Sequence, residues 1–232
     1  MYNRIMLKLS GELMMGNKDF GIDQKTVSKY ASQIVELVKM GKQVIVEIGA
    51  GNIYRGREEK EMKRTIADNL GMLGSVMNAI NLREAIDKFG HQEARALSQI
   101  YMPFIIQYYT PGKAIHYMDE KKIVIMGGGT GNQFFSTDTG AVLHGLQTGC
   151  DVVLKATNVD GVYNSDPNEN KDAKKYDTLS YDEVLSKKLA VMDQTAFALA
   201  RDNGLTIVVF NVTKEGNLKK AAMGEKIGTI VK

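Results

Sequence analysis

Ile123-Val124-Ile125-Met126-Gly127-Gly128-Gly129-Thr130-Gly131-Asn132-Gln133-Phe134-Phe135-Ser136-Thr137-Asp138 is the stretch from which the rest of the chain can be read. A short apolar run enters three glycines, and the residues from Thr137 to Leu146 have a helical pattern. Strand, glycine-rich loop and helix start together form the unit from which parallel α/β sheets are built. Such a loop turns backbone N–H groups toward a ligand, and the helix N-terminus favours an anion there. The hydroxyls of Thr130, Ser136 and Thr137 and the Asn132 amide add polar contacts, while Phe134 and Phe135 can wall an apolar or aromatic moiety. This chemistry suits a nucleotide or sugar phosphate, with room for a nucleoside monophosphate. The plainer reading, a helix capped by Ser136 or Thr137, is compatible with it.

Upstream, Arg4–Leu9 reads as a short strand ending in a turn at Ser10-Gly11. Asp23 can cap a helix carrying Val27, Ile34, Leu37 and Val38, which Gly41 ends. Gln43–Ile48 is a second strand, rich in β-branched residues, running into Gly49-Ala50-Gly51-Asn52. A long helical tract follows from about Lys60 to Phe89. Its Ile66, Leu70, Leu73, Met77 and Ile80 recur at spacings of 4, 3, 4 and 3, a heptad seam, and Met72, Val76 and Ala79 make a second apolar edge. Gly71 and Gly74 would permit close approach of another backbone. One apolar face is expected to cover the chain's own core and the other to meet a partner, with burial of both inside one protomer as the alternative.

Downstream, Ala94–Gln99 is an ambiguous strand and Pro111–Met118 a short helix. Asp151–Ala156 is a buried strand, followed by a loop over Asn158–Pro167 with a small β element at Gly161–Tyr163. Helices are expected at Tyr181–Leu189, Thr195–Asn203 and Leu218–Met223, and strands at Thr206–Asn211 and Gly228–Val231. The pattern predicts one α/β domain with two lobes across residues 1–232.

The net charge of +3 is well mixed along the chain, which argues against nucleic acid or a membrane surface as the main partner. No apolar stretch approaches a membrane span, and Arg4 and Lys8 interrupt the first apolar run, so a cytoplasmic chain is expected. Cys150, the single cysteine, reads as buried packing. His91, His116 and His144 lack metal-ligand spacing.

Lys8 ends a strand, where α/β proteins bind ligands, and could neutralise a phosphoryl group in transfer; taken by itself, a lysine beside a turn is more often a solvated surface residue. Gly49–Gly56 could admit a phosphate to the backbone, with Arg55 forking onto its oxygens. Gly51 and Gly56 have P-loop spacing, but Arg57-Glu58 follows where Lys-Ser/Thr would be needed. Thr157, Asp160, Tyr163 and Asp166 could hold a base or ribose. Asp193 is a helix cap by default. Lysine, arginine, glycine turns and carboxylates at strand ends, without a nucleophile elbow, point to phosphoryl transfer without a covalent intermediate.

In this order the segments Lys8–Glu12, Gly49–Arg55, Asp68 with Gly71–Leu73, Thr130–Asp138, Leu154–Thr157, Val159–Tyr163, Asp166-Pro167 and Val191–Asp193 closely resemble the bacterial-type UMP kinase (uridylate kinase) family of the amino acid kinase superfamily. The match runs from Arg4 to Ile230. The resemblance implies a three-layer αβα sandwich around a mostly parallel sheet, ATP and Mg²⁺ as donor pair, UMP as acceptor, and a hexamer built from dimers. It assigns Lys8, Ser10, Gly11, Gly51, Arg55, Thr157, Tyr163 and Asp166 to ATP. It assigns Ala50, Asp68 and Thr130, Gly131, Asn132, Gln133, Phe134, Phe135, Ser136 and Thr137 to UMP. Asp138 and Asp193 match acidic positions near the reaction centre, Asp138 toward Mg²⁺ or the phosphates and Asp193 toward the lysine. Lys8, Asp138 and Asp193 are the implied catalytic set.

Two departures stand out: Ala50 replaces a usual glycine, and Gln133 replaces a usual proline and is expected to loosen the loop. Gly16–Gly21 matches a region linked to GTP regulation, a match that does not decide whether GTP acts here; UTP inhibition is a further candidate property. Another small-molecule kinase acting on a carboxylate or carbamate, and a non-catalytic nucleotide-binding protein, are the competing readings. Asp68 would repel an acidic acceptor, and the retained Lys8, Asp138 and Asp193 argue against lost catalysis.

Overall fold

The computed structural model describes residues 2–232 apart from 57, 58, 91, 92, 166–168, 188 and 190. Asp166 of the expected ATP side, together with its neighbour Pro167, His91 and Arg57-Glu58, therefore lies outside the described residues. The strands are β1 (Arg4–Leu9), β2 (Gln43–Ile48), β3 (Ala94–Ser98), β4 (Gln107–Tyr108), β5 (Ile123–Gly127), β6 (Val152–Thr157), β7 (Thr178–Leu179), β8 (Thr206–Asn211) and β9 (Thr229–Val231). The helices are α1 (Gln24–Lys39), α2 (Arg64–Asp87), α3 (Pro111–Asp119), α4 (Thr137–Gln147), α5 (Tyr181–Ser186), α6 (Gln194–Asp202) and α7 (Asn217–Ala222). The turn after β1 is a 3-10 helix over Gly11–Met14, capped by Ser10. β4 and β7, two residues each, carry no periodicity and had no sequence signal.

The nine strands among the described residues form one sheet in the order β4-β3-β5-β2-β1-β6-β8-β9-β7. It is parallel except where β9 pairs antiparallel with β8. β1 is central, with β2 on one side and β6 on the other, so the chain builds the sheet to both sides of it. The crevice at the carboxyl ends of the strands around such a reversal is where open α/β sheets bind ligands.

Alternation along the strands builds two cores. Ile5, Leu7 and Leu9 face α1, α2 and α7. Met6 faces the other way, with Ile45, Val153 and Val209, toward residues of α3, α4, α5 and α6. That gives three layers, αβα. No helix among the described residues is long and apolar enough to cross a membrane.

The second apolar edge of α2 is the inward one, with Val76 and Ala79 buried. Most of the heptad seam is turned outward, with Ile66 48% exposed, Leu70 37%, Leu73 44% and Met77 55%, whereas Ile80 packs on Val76, Ala96 and Ile106. Gly74 corrects an expectation. A Cβ there would lie 3.2 Å from the Ala50 Cβ and 3.3 Å from the Ile53 Cβ, so its lack of a side chain makes room inside the chain. It also accommodates the methyl of Ala50, which is not among the described residues with positive φ.

Candidate active site

Three loops converge at the carboxyl ends of β1, β2 and β5. At Gly11 an added Cβ would meet the Gly51 nitrogen at 2.6 Å and the Gly49 oxygen at 2.7 Å, so only glycine lets the first two loops touch. α2 brackets them from below. Asn78 Nδ2 donates to the Gly49 carbonyl (2.7 Å) and to Asn52 Oδ1 (2.7 Å). Ser75 Oγ donates to the Ile48 carbonyl (2.7 Å) and accepts from the Gly128 N–H (2.9 Å).

One cleft of about 470 Å³ is lined by Ala50, Gly51, Arg55, Asp68, Thr130, Asn132, Phe135, Ser136, Thr137, Asp138 and Asp193, among others. Gly51 and Arg55, expected on the ATP side, thus share the cleft of the expected UMP residues. Arg55 is salt-bridged there to Glu12. Gly131, Gln133 and Phe134 belong to the same loop but do not line the cleft. A second cavity holds Lys8, Ser10, Lys155 and Thr157. Tyr163 lies apart, in a hollow with Asp160, Lys175, Asn211 and Lys214.

Gln133 does not leave the loop untied. Its Nε2 donates to Asn69 Oδ1 on α2 (2.9 Å). The neighbouring Phe134 N–H donates to Asp68 Oδ2 (2.8 Å), while Arg64 Nε donates to Asp68 Oδ1 (2.7 Å). Phe134 has φ +69°, a left-handed conformation uncommon for an aromatic residue, and the Arg64 guanidinium lies 5.7 Å from its ring centroid. α2 thereby clasps the loop after β5 through Asp68 and Asn69.

The chemical centre is a row across three strands. Strand register sets Glu47 of β2 beside Lys8 of β1, and Lys8 beside Lys155 of β6. All three point to the α4 side. There Asp138 Oδ1 lies 2.9 Å from Lys8 Nζ, and Lys155 Nζ donates to both Asp138 oxygens at 2.5 and 2.6 Å. Burial alone would raise the Asp138 carboxyl, but the two ammonium groups hold it well below the usual carboxylate range. Burial pushes the Lys155 ammonium down to about 8, with Lys8 adding to the fall and Asp138 opposing it.

Lys155 was assigned no role from sequence; the signal available was a lysine inside an otherwise apolar strand. Asp193 does not touch Lys8. It accepts from Thr139 Oγ1 (2.9 Å), from Ser136 Oγ and from the Ala196 N–H (2.8 Å), so it caps α6 and ties it to the start of α4. Asp138, with both oxygens on ammonium groups, has a donor set that fits lysines and not a bare dication. Among the described residues no group of three or more His, Cys, Asp or Glu could hold a metal ion.

This fold and site define a phosphotransferase-like α/β class, and residues 3–211 match the model of the amino acid kinase family. The chain belongs to that family. Its structure is similar to UMP kinase from Bacillus anthracis, with 36% identity, a TM-score of 0.95, and 99% of this chain and 96% of that one covered. It is also similar to UMP kinase from Ureaplasma parvum (31%, TM-score 0.92, covering 100% and 99%). Uridylate kinase from Archaeoglobus fulgidus is a third, more distant likeness (25%, TM-score 0.75, covering 98% and 99%).

Proposed function

We propose that this chain is a UMP kinase that transfers the terminal phosphoryl group of ATP directly to UMP. A phosphate oxygen of UMP forms the new bond to the γ-phosphorus as the bond to the β,γ-bridging oxygen breaks, leaving UDP and ADP, as required in pyrimidine nucleotide synthesis. The observation that carries the reading is the Lys8–Asp138 pair. Lys8 lines one cavity, Asp138 lines the other, and they meet at 2.9 Å. A donor in the first and an acceptor in the second would face each other across two ammonium groups, which suits the charge of a phosphoryl group in flight. The likeness to the two bacterial UMP kinases supports UMP as acceptor.

In this reading residues 1–232 form one domain whose N-terminal lobe holds UMP and whose C-terminal lobe holds ATP. Mg²⁺ arrives on the ATP phosphates. A cytoplasmic location goes with this role. ADP release measured with UMP, CMP, acetylglutamate and carbamate tests the assignment. UMP should be the preferred acceptor; equal rates with CMP, or turnover only with a carboxylate or carbamate, would reject it. UTP and GTP added to the same assay test inhibition and regulation.

A pH dependence is expected from Lys155, whose ammonium is pushed down to about 8 by burial. As pH rises through that value an ammonium group leaves the site, so kcat/KM is expected to fall above about 8. Lys155→Arg should move that limb upward, because a guanidinium keeps its proton. A profile flat through the region would exclude Lys155 as a working charge.

We also infer a homo-oligomer, a hexamer built from dimers, with the seam Ile66, Leu70, Leu73 and Met77 at a twofold contact. Contiguous exposed apolar patches of this kind mark interaction sites, and a self-complementary contact is struck twice by one substitution. Leu70→Glu combined with Met77→Glu should shift sedimentation to smaller species. A wild-type monomer, or an unchanged assembly in the variant, would place the contact elsewhere.

A further inference from the structure

Glu47 is fully buried, is not a member of the sequence-derived site, and takes no part in the transfer described above. Its Oε2 lies 2.8 Å from His144 Nδ1, and His144 is itself fully buried. Beyond it, His144 Nε2 is 3.3 Å from Gln99 Nε2, and the Tyr109 ring centroid is 4.7 Å from that of the imidazole. With the Gln99 amide donating to Nε2, the neutral imidazole carries its proton on Nδ1 and gives it to a carboxylate. The other oxygen, Glu47 Oε1, is buried without a hydrogen-bond partner among the described residues. It faces Gly140, where a Cβ would lie 3.3 Å away, so the first turn of α4 closes directly over it.

A carboxylate oxygen left unpaired in an apolar core is costly, and burial pushes the Glu47 carboxyl up. The opposing pull comes from the His144 hydrogen bond and from the Lys8 charge, while Asp138 adds to the rise. Counting charges along the row gives the reason to keep it. Lys8 and Lys155 bring two positive charges, Asp138 brings one negative, and Glu47 beside Lys8 is the second negative.

We propose that Glu47 is a positioning residue for phosphoryl transfer: held by His144, its carboxylate balances the lysine row from behind and fixes the Lys8 ammonium over Asp138. The claim rests on the kinase reading of the site. Without Glu47 the two ammonium groups compete for one carboxylate, and Lys8 is free to shift from the place where the two cavities meet. Misplacement of a catalytic charge by about 1 Å is enough to cost about 100-fold in rate.

The test uses the full chain. Glu47→Gln keeps shape and removes charge; it should lower kcat by about 10- to 100-fold while KM for UMP and ATP stays within about twofold. The downfield proton resonance of the His144 ring, expected in the wild type, should move in the same variant. His144→Gln should lower kcat in the same direction, and the double variant should be no worse than Glu47→Gln alone, since the two act as one unit. Should Glu47→Gln fail to fold, the apolar pair Glu47→Val with His144→Leu keeps the core filled and should show the same kcat loss. Full kcat in a folded Glu47 variant, whatever its melting temperature, overturns the proposal. So does a rise in both KM values at unchanged kcat. A wild-type chain inactive with UMP overturns the kinase reading and this inference together, whereas an active wild type with an unaffected Glu47 variant overturns this inference alone.

Discussion

Lys8→Ala is expected to lower kcat by about 100-fold or more, the cost of losing one preorganised electrostatic group in a water-poor site. Lys8 is 6% exposed and lies at the meeting of the two cavities. Its ammonium is fixed by Asp138 before any substrate arrives, so no reorganisation is needed during transfer. UMP binding should change little, because the acceptor cleft is built by α2 and the loop after β5. Steady-state kinetics with saturating ATP check this directly. A variant that turns over at the wild-type rate would return Lys8 to a structural role, and equal losses in both KM values would indicate a distorted core.

Asp138→Asn should be severe in a second way, striking stability as well as turnover. The amide keeps the shape but leaves Lys8 and Lys155 buried against each other, with Glu47 on the far side of Lys8 as the one remaining negative group of the row. Removing one partner of a buried ion pair costs about 3–5 kcal/mol. For a chain of this size that corresponds to a fall in Tm of roughly 10 °C. Acid unfolding gives an independent check. The Asp138 carboxyl titrates lower in the folded chain than in the unfolded one, where a pKa of about 3.9 applies. Its stabilisation is therefore complete above the unfolded value and is lost as pH falls toward the folded value. The wild type should lose stability over that acidic range, and Asp138→Asn should lose less. Equal Tm and equal acid sensitivity in the two proteins would show that the pair contributes nothing net. Turnover should fall with it, since both lysines take their place from this carboxylate.

Local pattern reached far into this protein. β1, β2 and β8 lie where strand propensity and bounding turns put them, and Asp23, Ser136 and Asp193 cap the helices that follow them. These features depend on neighbours a few residues away, which is what a sequence displays. α2 shows the limit. Its two apolar edges were legible at helical spacing, but which one is inward depends on the sheet it packs against, and Gly74 was drawn to the wrong neighbour for that reason. Gln133 is similar: alone it reads as a loosened loop, and only Asn69 across the cleft makes it a tether.

By itself, then, the sequence determined the α/β alternation, the glycine loops at strand ends and the family resemblance, because each is written in local periodicity and residue type. Tertiary structure alone decided the row Glu47–Lys8–Lys155, the placing of Asp138 between two lysines and the separation of Asp193 from them. Those depend on register between strands distant in the chain and on the angle at which α4 crosses them. Register is set by packing of the two cores against the helices, and a one-residue slip would turn each of these side chains to the opposite face.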